Sequence, residues 1–143
     1  MRKFLHTLNS LRPGDRIVVP KSYLRMVQHH AIYLGFEKGQ HWIIENKEVF
    51  GVRVVSAATF LAGVDEITRI DPFYPKNGYS RNDLVRYALS KKGRRYHLTN
   101  YNCEHFANEI QYRVVQSKQA DTGVGIALFG LAVLLIGGIA GRR

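Results

Sequence analysis

Over much of the first half of the chain, apolar and polar residues alternate with a period of two. Residues 16–19, a β-branched run set between the Pro13-Gly14 turn and Pro20, predict a first strand. Over residues 28–35, His30, Ile32 and Leu34 share one face and His29, Ala31 and Tyr33 the other, which predicts a second strand. The stretch Phe36-Glu-Lys-Gly-Gln40 turns through Gly39, and residues 41–46 return, so an antiparallel hairpin is expected. Residues 49–55, with Phe50 and two valine pairs around Arg53, are a further strand candidate. Residues 64–70 are a shorter, more polar one.

Beyond the loop at residues 71–79 the period changes. Ser80-Arg-Asn-Asp83 has the form of a capping box with Asp in place of the usual Glu. Leu84, Tyr87 and Ala88 follow at helical spacing until Gly93, predicting a helix of about three turns. A second helix is expected to begin at Asn102-Cys103, because Asn is a strong N-cap and Phe106, Ile110 and Val114 recur every four residues. Strands followed by helices imply an α+β fold, an antiparallel sheet packed on helices. The pattern changes once more at residues 123–141, which carry no charge and no side-chain hydrogen-bonding group. At about 1.5 Å per residue this run reaches roughly the 30 Å of a bilayer's hydrocarbon core. Lys118 precedes it and Arg142-Arg143 follow.

The expected organisation is therefore a domain over residues 1–121 and a C-terminal transmembrane helix within 122–143. A tail-anchored, single-pass protein with a cytosolic domain follows, since the first residues lack an apolar stretch of signal-peptide length. With 143 residues the chain is long enough for one globular domain. A formal charge of +10 favours negatively charged partners, among them acidic lipid. Nucleic acid is not expected, because the basic residues are dispersed and the aromatics fall on predicted core faces. A single cysteine excludes an internal disulfide. No metal-ligand spacing and no Gly-rich phosphate loop is present, so no cofactor is expected.

That one cysteine carries the candidate chemistry. With Asn102 as cap, Cys103 lies in the first helical turn, where unpaired amides and the helix dipole favour an anion. A thiolate so placed, and assisted by a His, has its pKa lowered from about 8.5 to roughly 3.5–7.5. Of six histidines, His105 lies about 200° around the same helix and is assigned to capping or packing, while His6 and His97 have no local context and are assigned to the surface. His29 and His30 must point to opposite faces of their strand.

The strings His29-His-Ala-Ile-Tyr-Leu-Gly35 and Asn102-Cys-Glu-His-Phe-Ala-Asn108 resemble the His box and the Asn-Cys box of the lecithin:retinol acyltransferase family. This family includes small phospholipase/acyltransferases and is related to the NlpC/P60 peptidases. The resemblance covers most of residues 11–141, and Asn-Cys-Glu-His-Phe is its specific part. It implies a circularly permuted papain-like (NlpC/P60) fold, with the strand His first and the helix Cys last, and an apolar C-terminal anchor. It further implies Cys103 as nucleophile and His29 as base, with His30 structural. The third member is expected on the returning hairpin strand: His41 has the family's residue type, whereas Glu45 has the better geometry, since a turn centred near Glu37 pairs position 29 with position 45. Glu45 is favoured as the group that orients His29.

Two departures stand out: Met26-Val-Gln28 lacks the Tyr-Arg that often precedes the His, and Glu-Ile-Gln-Tyr-Arg follows the second box where the family has Glu-Leu-Arg-Tyr-Gly. The implied activity is a phospholipase A-type hydrolase or acyltransferase acting on phospholipid acyl esters through a Cys-His acyl-thioester. The alternatives are a non-catalytic module, as in some picornavirus non-structural proteins that resemble the family, and an NlpC/P60-type cysteine peptidase.

Overall fold

The computed structural model describes residues 1–21 and 26–118. A 3-10 turn, Arg2–Phe4, leads into helix α1 (Leu5–Ser10). Four strands follow, β1 (Arg16–Pro20), β2 (Gln28–Glu37), β3 (Gln40–Lys47) and β4 (Gly51–Ser56). Then come α2 (Ala57–Phe60), β5 (Arg69–Asp71), α3 (Arg81–Ser90) and α4 (Cys103–Tyr112). The strands form one sheet in the order β4-β3-β2-β1-β5 with every neighbouring pair antiparallel. The α+β class and the antiparallel sheet are as expected. The span expected within residues 122–143 lies outside the described residues, among which no helix is long and apolar enough to cross a membrane.

Alternation along the strands gives the sheet two apolar faces, each covered by helices. On one face Ile17, Val19, Ala31, Tyr33, Ile43 and Val55 bury against Phe4, Leu8, Phe60 and Leu61. On the other, Ile32, Ile44 and Val52 bury against Leu84 and Ala88 of α3 and Phe106, Ala107 and Ile110 of α4. Helix α3 starts at the predicted capping box: Ser80 Oγ accepts the Asp83 amide at 3.1 Å and the Asp83 carboxylate accepts the Ser80 amide at 3.0 Å. Helix α4 ends at Tyr112, where Arg113 turns into the left-handed region (φ 62°), so Val114 lies outside it.

The hairpin register differs from the expected one. The turn is the two-residue Lys38-Gly39, both at positive φ, and Glu37 pairs with Gln40. That turn lies beyond Glu37, so His29 does not stand opposite Glu45; a bulge at Leu34 then moves the ladder by one residue, which brings Ala31 in place of Ile32 opposite Glu45 and puts Glu45 on the face of His29. His29 and Glu45 become diagonal neighbours on one face, close enough for long side chains to meet. Two strand expectations also change. Val49 belongs to the β3–β4 turn, and β4 begins at Gly51, where an added Cβ would lie 2.4 Å from the Arg94 carbonyl oxygen. Of residues 64–70 only the end is a strand, because β5 pairs with β1 for three residues, while Val64 and Ile67 reach the core from irregular chain.

Candidate active site

Cys103 occupies the first position of α4, which is anchored from two directions. The Asn102 side-chain oxygen accepts the amides of Glu104 and His105, both at 3.0 Å, and His105 Nδ1 accepts the Asn102 amide at 3.2 Å. His105 thus completes a capping box, the role expected for it. From the sheet, Asn46 of β3 donates its side-chain amide to the carbonyls of Tyr101 (2.7 Å) and Asn102 (3.2 Å). Strand β3 therefore positions two things at once: Asn46 on one face holds the start of α4, and Glu45 on the other faces His29.

His29 and Glu45 belong to the sheet face opposite α4. His29 nevertheless meets Cys103, because both lie at the start of β2, where the Cys103 thiol donates to the Gln28 carbonyl at 3.7 Å. His29 Nε2 and Glu45 Oε2 are 2.6 Å apart, and the imidazole leans on the Phe60 ring at 5.6 Å between centroids. Among the described residues buried Nδ1 has no other hydrogen-bond partner, which leaves it for the Cys103 sulfur. The second oxygen of Glu45 accepts from Arg53, directly across in β4, at 2.9 Å from Nε and 2.8 Å from Nη2. Glu45 is 2% exposed, and both of its oxygens are engaged.

Burial disfavours charge at all three groups, and the neighbours overrule it each time. Burial pushes the Cys103 thiol up, but its hydrogen bond to His29, the imidazole's charge, the His30 amide and Lys21 bring it below the ordinary thiol value. Burial pushes His29 down, but the hydrogen bonds and charges of Cys103 and Glu45 hold it above the usual imidazole range. Burial pushes Glu45 up, but His29 and Arg53 hold it below the usual carboxylate range. These directions together favour a thiolate, an imidazolium and a carboxylate in one buried line, the arrangement an activated nucleophile requires.

The other histidines are elsewhere. His41 pairs with Phe36, shares a 2.8 Å hydrogen bond with the Tyr33 hydroxyl through Nδ1, and stacks on Phe36 at 4.8 Å. Among the described residues none of these contacts reaches His29 or Cys103. His30 is buried on the α4 face with Nδ1 3.5 Å from Arg16 Nη1. His6 and His97 are exposed. Two contributors have no counterpart among the sequence-derived candidates. Arg53 holds Glu45, and its signal was a lone cation between valine pairs. Lys21, ion-paired with Glu48, lies near the sulfur, and burial pushes it down to about 8 against the pull of Cys103. Among the described residues no cluster of His, Cys, Asp and Glu side chains is arranged to hold a metal ion.

Comparison with known proteins places this geometry in a family. Residues 9–116 match the model of lecithin retinol acyltransferase. The mouse protein Phospholipase A and acyltransferase 3 is 31% identical over 90% of this chain and 89% of its own length. The human protein of the same name is 29% identical, over 92% and 91% respectively. With a match over most of its length and the His strand and Asn-capped Cys helix at one site, the chain belongs to the lecithin retinol acyltransferase family.

Proposed function

We propose that the chain is a membrane-anchored thiol enzyme that cleaves phospholipid acyl esters and passes the acyl group to water or to an amine. The observation that carries this reading is the buried line Glu45–His29–Cys103, closed by the 2.6 Å contact between Nε2 and Oε2 and leaving Nδ1 for the sulfur. The names of the relatives, phospholipase A and acyltransferase, support the substrate class. Residues 1–121 are the catalytic domain of circularly permuted papain-like form, and residues 122–143 are the anchor that holds it on the cytosolic face of a membrane, where acyl esters are concentrated.

In this mechanism His29 Nδ1 takes the Cys103 proton, and Glu45 fixes the ring and stabilises the imidazolium. The thiolate attacks the ester carbonyl. The oxyanion rests against the Cys103 amide, which the Asn102 cap leaves aside because its oxygen is engaged by the next two residues. His29 returns the proton to the departing lysophospholipid, and a thioester remains on Cys103. Water or an amine, deprotonated by His29, then attacks the thioester and regenerates the thiol.

Full-length protein with phosphatidylcholine in mixed micelles tests this directly. Release of fatty acid or acylated amine, an acyl-thioester trapped on Cys103, and loss of both in Cys103→Ala are the expected results. Wild type and Cys103→Ala behaving alike would leave a non-catalytic module.

A further inference from the structure

Beside the thiol, between β1, β5 and α4, lies a cavity of about 620 Å³. Arg16 forms part of its lining and is 4% exposed. Among the described residues its guanidinium has neutral hydrogen-bonding partners: Nη2 donates to Asn108 Oδ1 at 2.5 Å, Nη1 lies 3.5 Å from His30 Nδ1, and Nε has none there. Among the described residues no carboxylate forms an ion pair with it. The register puts Asp71 directly opposite, yet Asp71 turns both oxygens to Arg69 Nε, at 2.8 and 3.0 Å. Glu104, also lining the cavity, accepts the Ser117 hydroxyl at 2.7 Å. Asp71 and Glu104 act on the guanidinium only through space, and burial still holds it below its ordinary value, so a directly paired anion would supply what the described partners leave unmet. Exposed Lys76 adds positive charge at the rim, and exposed Met26 and Tyr112 give the cavity an apolar flank.

We infer that this cavity receives the phosphate group of a phospholipid headgroup, with the Arg16 guanidinium as its anchor. The inference rests on the proposed acyl-ester chemistry, because it concerns where the substrate of that reaction is held. Gln28 lines the cavity and its carbonyl accepts the Cys103 thiol, so cavity and sulfur share a wall. In a glycerophospholipid only a few bonds separate the phosphate from the acyl esters. A phosphate seated by Arg16 therefore delivers an ester carbonyl toward the nucleophile. Arg16 acts as a specificity determinant that recognises a phosphodiester by charge-assisted hydrogen bonds and leaves the reacting atoms to Cys103 and His29.

The test uses full-length protein in nonionic detergent micelles, as wild type, Arg16→Gln and Lys76→Gln. Calorimetric titrations with glycerophosphocholine, inorganic phosphate and glycerol measure binding, and acyl release is followed from phosphatidylcholine and from a diacylglycerol, which lacks phosphate. Glycerophosphocholine is expected to bind wild type, and Arg16→Gln to weaken that binding about tenfold or more, the scale of one charge-assisted contact. Arg16→Gln should also lower the ratio of phosphatidylcholine to diacylglycerol turnover by about the same factor. Binding of inorganic phosphate without glycerophosphocholine would overturn the headgroup assignment. An equal loss on both lipids would overturn it too, by assigning Arg16 a structural role. If Arg16→Gln does not fold, Lys76→Gln decides: the headgroup site predicts weaker glycerophosphocholine binding, and unchanged binding contradicts it. Should wild type release no acyl chain from either lipid, the catalytic reading fails, while the titrations still decide the cavity.

Discussion

His29 and His30 are consecutive on β2 and both are buried, yet the two faces of the strand give them opposite electrostatics. On the α4 face, burial and the Arg16 cation both disfavour a proton on His30 and push it down to about 3. On the other face, burial acts in the same direction on His29, but the Cys103 sulfur and the Glu45 carboxylate outweigh it and raise the imidazole. One residue of strand alternation thus separates a neutral packing histidine from one suited to hold a proton. The lesson concerns partners more than burial: two anionic groups reverse at His29 what burial alone would do, and a cation reinforces it at His30.

The contrast can be broken at several points. The largest effect is expected from His29→Gln, which removes the base and should lower acyl release by at least about a hundredfold, measured as initial rate on phosphatidylcholine micelles. Glu45→Gln comes next, at roughly ten- to a hundredfold, since the ring loses its orienting carboxylate; His41→Gln, assayed beside it, should stay near the wild-type rate. A loss confined to His41→Gln would reassign the third member.

Stability at acid pH gives a further reading of Glu45. Its folded value lies below the ordinary 4.5, so it contributes stability above that pH and loses it as pH falls through the depressed folded value. Thermal melts of Glu45→Gln should therefore show a flatter acid limb than wild type. Arg53→Gln leaves the Glu45–His29 contact but removes the second cation, and should cost about 1–2 kcal/mol in denaturant melts, discounted for the partly exposed guanidinium. The smallest change is a titration shift: Arg16→Gln removes the cation beside His30, so NMR should show the His30 pKa rising while His29, on the far face, moves little.

Strand identity and both capped helices were legible because they rest on local signals: alternation through Ile32 and Leu34, the Ser80 and Asn102 caps, and the turn at Gly39. Register was not. The turn falls at Lys38-Gly39, past the expected centre near Glu37, and the bulge at Leu34 moves the ladder back by only one residue, so Ala31 faces Glu45 where His29 was expected. Helices α1 and α2 span six and four residues, too short for a helical repeat to stand out. Val49 continued a valine-rich pattern, yet it sits at φ 70° and 97% exposed in the turn between β3 and β4. At the candidate site, Cys103 and His29 could be named through the resemblance of their two boxes to the family, and Glu45 from its expected place on the returning strand. The roles of Arg53 and Arg16 could not, because a charged residue in a strand reads as solvent-facing until its long-range partners are known.

The most direct measurement is the pH titration of the Cys103 thiolate by its ultraviolet absorbance, in wild type and His29→Gln, with the Cys103→Ala spectrum subtracted at each pH. The chain's single cysteine makes the signal unambiguous. Wild type should titrate below the ordinary thiol value, and His29→Gln should move the midpoint upward as burial goes unopposed by the imidazole. A wild-type midpoint at or above the ordinary value, unchanged in His29→Gln, would contradict an activated nucleophile at this site.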